Sequence, residues 1–273
     1  SEVSEDAAAV RTMVSQDTSK APDPFALAFT EYNSITGHRE VAMANALFIA
    51  RVLLAQIEEG FDLSMIWNLQ SGVAADGGSH GLLAKNSPHQ PDGSPRPTYL
   101  TCWLLQHYLG VSIAPLNAEI LDLYAVETTH ANGAKGGVLI NTGDQAITLT
   151  WDAPSTSRPY VHWHVLQADH ETSKLVKLNG LAPPTSEGGP VAPERMMGRG
   201  TLEPGAVTFT VPPYSILAFA RAAANEVETV VTCQPYSLGG QLYTASTLVS
   251  TYDLDEESGI AIPRQYELLS LIH

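Results

Sequence analysis

Up to about residue 110, short apolar runs alternate with longer ones at helical spacing. Ser4, Glu5 and Asp6 open a short helix over about 4–16. A loop carrying Pro22 and Pro24 follows. Phe25 to Thr30 is an apolar run closed by polar residues, the pattern of a strand buried on both faces. Arg39 to Glu58 reads as a long helix, apolar nearly all round, with Gly60 as its stop. Leu63 to Trp67 predicts a second buried strand, and a Gly-, Ser- and Pro-rich loop spans about 70–97. A last helix over Thr98 to Tyr108 ends at Gly110. Strand and helix thus alternate in the β/α manner. Two such units cannot close a (β/α)₈ barrel, which takes eight in about 250 residues.

From about 111 the period changes. Apolar and polar positions alternate over Ile120–Val126, Gly137–Asn141, Ala146–Trp151, Tyr160–Gln167, Leu175–Leu178, Ala206–Val211 and Ile216–Ala220. Turn residues separate them, among them Asn132 and Gly133, Asn179 and Gly180, and Pro212 and Pro213. Many short strands with regular turns predict an antiparallel sandwich. Residues 181–200 read as a surface loop. The strand-like pieces Thr229–Cys233 and Leu242–Val249 leave two options for 222–273, completion of the sandwich or the start of a further module. The expected fold class is α/β plus all-β: the last two β/α units of a TIM barrel over 1–110, then a C-terminal β-sandwich over 111–221.

Composition narrows the partners. The 29 acidic and 14 basic residues give a net charge of −15, which excludes nucleic acid and anionic membrane surfaces as natural partners and tolerates a neutral ligand such as a sugar. The longest apolar region, Val41 to Ile57, is interrupted by Asn45, Arg51 and Gln56, so no stretch reaches the roughly 20 apolar residues of a membrane span. Cys102 and Cys233 are too few for a disulfide framework, and Cys102 reads as a buried free thiol. No Cys-x-x-Cys metal signature occurs. His162 and His164 share a strand face, and without a third ligand in sight they read as residues of an exposed sandwich face. The N-terminus has neither an initiating Met nor a signal peptide, and the first helix reads as entered from upstream, so the chain is expected to be a piece of a longer protein.

Glu31 is the sharpest chemical candidate. It closes the first predicted strand, and in (β/α)₈ enzymes the active site is built from strand ends and their loops. A carboxylate there can attack an anomeric carbon and form a glycosyl-enzyme intermediate; equally, many strand-end carboxylates are only solvated. Phe29, Thr30, Glu31, Tyr32 and Asn33 together resemble the seventh-strand nucleophile motif of clan A retaining glycoside hydrolases. Ile66, Trp67, Asn68 and Leu69 resemble the end of that clan's eighth strand, where a tryptophan lies under the sugar. His80 to Leu83, Arg96 to Tyr99 and Gln106 to Gly110 resemble the closing stretch and last barrel helix. Val138 to Asn141 and Val211 to Ser215 look like strands of the C-terminal sandwich. The resemblance covers about 24–221 and is nearest to the α-L-arabinofuranosidase branch.

The resemblance implies Glu31 as nucleophile, with Tyr32, Asn33, Trp67, Asn68 and His80 as substrate-binding residues. Each has a plainer alternative: Trp67 as a cap on the core, Asn33 as a loop cap, His80 as one of nine histidines in a loop. Retention needs a second carboxyl about 5–5.5 Å from the first. The clan places it on the fourth strand, commonly as Asn-Glu, and no such pair precedes Glu31 here. It is therefore expected upstream of residue 1, on the same protein or a partner chain, and the chain alone is expected to be inactive. Two carboxylates need no cofactor and no metal. Open alternatives are a non-catalytic carbohydrate-binding or structural module and a degenerate hydrolase.

Overall fold

The structure, a computed structural model, describes residues 2–18, 26–88, 90–116, 120–183, 198–223, 227–232, 236–238, 241–243, 247–254 and 261–270. Its first part holds helix α1 (Glu2–Thr18), strand β1 (Ala28–Tyr32), helix α2 (Met43–Glu58) and strand β2 (Leu63–Ile66). The short pair β3 (Gln70–Ser71) and β4 (Leu83–Ala84) follows, then helix α3 (Pro97–Tyr108). Pro97 opens α3, where its missing N–H would have no intrahelical acceptor anyway. A 3₁₀ turn over Gly37–Val41 precedes α2, which begins later than the periodicity predicts.

β1 and β2 pair in parallel, with Ala28 opposite Leu63 and Tyr32 opposite Ile66. Among the described residues they form a two-stranded sheet, with no closed barrel. Their expected burial on both faces is corrected here: Leu63 and Met65 are 48% and 43% exposed, and Ala28 and Thr30 are exposed as well. Helices cover one face only. The apolar run over 25–30 is real, but the layer that would bury its second face is not among these residues, and Phe25 lies outside the described ones.

The second part is dominated by one large sheet. Its strands are β5 (Ser112–Pro115), β6 (Leu123–Thr129), β7 (Lys135–Asn141), β9 (Tyr160–Gln167), β11 (Gly198–Leu202) and β13 (Ser215–Ala222), joined by β14 (Val227–Thr232), β17 (Thr247–Leu254) and β18 (Ala261–Ser270). Across the sheet they run β14, β18, β17, β11, β9, β13, β7, β6, β5, with the short β10 (Lys177–Leu178) also beside β9. β8 (Ile147–Trp151) and β12 (Val207–Val211) form a separate antiparallel ribbon, and β15 (Tyr236–Leu238) pairs with β16 (Gln241–Tyr243).

Two cores lie on opposite faces of this sheet. On one, Met43, Ala46, Ala50 and Leu54 of α2 and Leu100, Leu104 and Tyr108 of α3 meet Val138, Ile140, Leu166 and Ala218. On the other, Trp151, Val207 and Phe209 of the ribbon meet Leu139, Val161, Leu217 and Phe219. Each large apolar side chain so buried contributes about 1.5–3 kcal/mol. All eight residues of β13 are buried, as a strand covered on both faces must be. Gly137 lets β7 lie under Phe219, since a Cβ there would sit 2.7 Å from its ring.

Three expectations change. Residues 198–202 are not loop but the inner strand β11, between β9 and β17, with 184–197 outside the described residues. The pairing is not antiparallel throughout, because β14 and β18 are parallel. His162 and His164 do not face solvent. They lie on the side of the sheet that α3 covers, 7% and 0% exposed. Cys102 is free and half-buried, and Cys233 lies outside the described residues. No helix among the described residues is long and apolar enough to cross a membrane.

Candidate active site

The site is built where the parallel strands end. Trp67 N–H donates to Tyr32 O (3.1 Å), so the two chains stay together one residue past β2. The ladder between β1 and β2 is irregular between Phe29 and Tyr32. The rings of those two residues touch edge-on at 5.6 Å, so they share a face although three positions separate them. In a regular strand residues share a face at even spacing. The extra residue of the bulge therefore sends both Thr30 and Glu31 to the other face, and both are exposed there. That open face also carries Leu63, Met65 and Trp67, the last 49% exposed. Glu31 and Trp67 are both exposed, at the ends of the neighbouring strands β1 and β2.

Tyr32 and Asn33 point to the supporting side. Tyr32 is 9% exposed, its hydroxyl hydrogen-bonded to Ser64 Oγ (3.2 Å), and burial pushes its pKa up to about 12. Asn33 uses its whole amide: Nδ2 donates to Trp67 O (2.5 Å) and His80 O (3.0 Å), and Oδ1 accepts from Ser34 N–H (2.8 Å) and Asn45 Nδ2 (3.0 Å). Asn68 continues the ladder, donating its N–H to His80 O (3.2 Å) and accepting from Leu82 N–H (2.9 Å). Its side-chain Oδ1 is buried without a hydrogen-bond partner. The peptide between Trp67 and Asn68 is cis.

His80 is held from behind. Its Nε2 lies 3.7 Å from Glu40 Oε2, and Glu40 is 6% exposed. The other oxygen of Glu40 accepts the N–H groups of Thr36 (2.9 Å) and Gly37 (3.2 Å). Glu40 thereby joins the loop after β1 to the loop that carries His80. Gly78 permits this contact, because a Cβ there would lie 2.7 Å from Glu40 Oε2. Beneath the same loop Arg96, 1% exposed, donates through Nη1 to Ser79 Oγ (2.6 Å), Ser79 O (3.2 Å) and Gly81 O (2.8 Å). Burial lowers its pKa, and the charge of Glu40 opposes that shift.

Sequence reasoning missed Glu40, Asn45 and Arg96 as parts of this assembly. Asn45 was visible as a polar interruption in an apolar helix, and Arg96 as a charge next to a helix-opening proline. Nothing local marked Glu40.

No family model and no curated protein sequence matches the chain. Solved structures do. An α-L-arabinofuranosidase from Thermotoga maritima, solved as its arabinose complex, superposes with a TM-score of 0.55 at 12% identity, covering 79% of this chain and 47% of the other. CelM2, a bifunctional glucanase-xylanase from a metagenome library, does so with a TM-score of 0.50 at 16% identity, covering 80% of this chain and 34% of the other. The fold is thus similar to part of the fold of these two glycoside hydrolases. At such identities the likeness concerns the fold alone. The chain spans less than half the length of either glycosidase.

Proposed function

We propose that this chain contributes the nucleophile half of a retaining glycoside hydrolase site. The observation that carries the reading is the placement of Glu31: a bulge turns its carboxylate to the open face, at the C-terminal end of a parallel strand, beside the exposed Trp67. A sugar stacked on the indole would present its anomeric carbon to the carboxylate. Attack by the Glu31 oxygen expels the leaving group, which takes a proton from a second carboxyl, and a covalent glycosyl-enzyme results. Water, deprotonated by that second carboxyl, then displaces Glu31. The second group is assigned to sequence upstream of residue 1, whose parallel strands would also cover Leu63, Met65 and Trp67. His80 and Asn68 are assigned to hydroxyl recognition, and Tyr32 and Asn33 to holding Glu31 and Trp67 in place. The substrate class is a polysaccharide or oligosaccharide, with α-L-arabinofuranosides favoured by the likeness to the arabinofuranosidase.

The test uses the full-length protein and aryl glycosides, α-L-arabinofuranosides first. Glu31→Gln is expected to lower turnover on the order of 10⁴-fold while leaving the fold intact. A slow 2-fluoro glycoside should label Glu31 in the wild type. Wild-type turnover in the variant would remove the assignment.

A further inference from the structure

We infer that the β-sandwich carries a glycan-binding cleft of its own, formed by Trp163, Thr201 and Glu203 beside the open edge of β12. The ribbon of β8 and β12 is narrower than the sheet it covers, so the sheet's outer face is left open alongside β12. A cleft of about 490 Å³ opens there, floored by Trp163, Val165 and Leu217 and walled by β12. That volume lies in the range of about 300–1,000 Å³ typical of small-molecule sites.

The chemistry of the lining favours a sugar. Trp163 is only partly buried, and it meets Phe209 edge-on with centroids 6.4 Å apart. Arg199 lies opposite Trp163 and Thr201 opposite Val161 in the antiparallel register, so the side chains of Arg199, Thr201 and Glu203 follow one another on the face of Trp163. The Glu203 backbone is pinned by its N–H to Pro159 O (2.8 Å) and by its carbonyl to Arg221 Nη1 (2.6 Å), which leaves an exposed carboxylate on a fixed stem. An aromatic platform suits the C–H face of a pyranose or furanose ring, while a carboxylate and a hydroxyl accept and donate to its edge hydroxyls. A net charge of −15 and Glu203 itself select a neutral glycan over a uronate-rich one. The cleft sits on the ribbon side of the sheet, whereas the β1 and β2 layer lies with the helices packed on the other side, so the two sites are separate.

The experiment is native affinity electrophoresis of the chain in gels containing arabinoxylan, arabinan, xyloglucan or mixed-linkage β-glucan. Retardation is expected in at least one gel. Trp163→Ala should weaken it about tenfold, and Glu203→Gln, an isosteric change at an exposed position, should weaken it severalfold with an unchanged thermal midpoint. Trp67→Ala, which removes the exposed indole of the strand-end site, separates the two sites and should leave the retardation in place. The inference is overturned if no neutral glycan retards the chain, if Glu203→Gln and Trp163→Ala both bind as the wild type does, or if Trp67→Ala alone abolishes binding.

Discussion

Asn33 shows how much one side chain can organise here. Its amide joins the end of β1 to the carbonyls of Trp67 and His80 and to Asn45 of α2. Each such bond contributes about 0.5–1.5 kcal/mol, and a carbonyl left buried without a donor costs more. Asn33→Ala should therefore destabilise the chain by about 2–3 kcal/mol in urea unfolding. Asn33→Asp should cost at least as much, since it turns a donor facing two carbonyls into a third acceptor. A loss below about 0.5 kcal/mol in both variants would show that the network does not hold the strand ends. Glu31, two residues away, has no such web and stands exposed, so its replacement should barely change stability. That contrast between a stability residue and its reactive neighbour was invisible in the string Thr30 to Asn33. Sequence marked Glu31, Tyr32 and Asn33 alike as candidates, and only the bulge separated the residue that faces the open side from those that support it.

At the scale of elements, the docking of α3 on the sheet turns on Tyr108. Its hydroxyl lies between two imidazoles, 2.6 Å from His164 Nδ1 and 3.2 Å from His162 Nδ1. Trp103 meets His164 edge-on at 5.3 Å. Burial pushes the pKa of His162 down to about 3, with His164 and His130 acting in the same direction. His130 and His107 are also lowered by burial. The sign follows from linkage. The unfolded chain binds a proton at about pH 6.5 that the folded chain refuses, so His162 contributes full stability above that pH. The contribution is lost as pH falls from about 6.5 towards about 3, at about 1.4 kcal/mol per pH unit for one histidine. Urea midpoints between pH 7 and 5 should fall accordingly, and His162→Asn should flatten the slope by about one proton. An unchanged slope would mean that His162 takes up its proton in the folded state. From sequence the pair looked like an outward strand face, because alternation tells which residues share a side but not which side a helix covers.

For the whole molecule, the telling feature is an uncovered layer. Leu63 and Met65 of β2, and Trp67 just past its end, are 48%, 43% and 49% exposed, an apolar face at a two-stranded parallel sheet. Parallel sheets are ordinarily covered on both sides, and apolar patches of this kind mark interaction surfaces. The chain by itself is expected to bind a hydrophobic dye such as ANS and to self-associate. Met65→Lys should reduce both, and dye binding unchanged in that variant would show that this face is not where the dye binds.

Periodicity and punctuation were enough to predict strands alternating with helices and then a strand-rich region, and to draw attention to Glu31 and Trp67. Those are local properties, set by side-chain spacing and by Gly and Pro. The tertiary structure decided what depends on partners distant in sequence. It made 198–202 an inner strand, because β9 and β17 supply the pairing. It buried His162 and His164 under α3, and it drew Glu40 and Arg96 beneath the His80 loop, where burial and charge act between segments tens of residues apart. It also turned Glu31 outward through one irregular pair in the ladder, a matter of register between two strands that neither strand's own sequence contains.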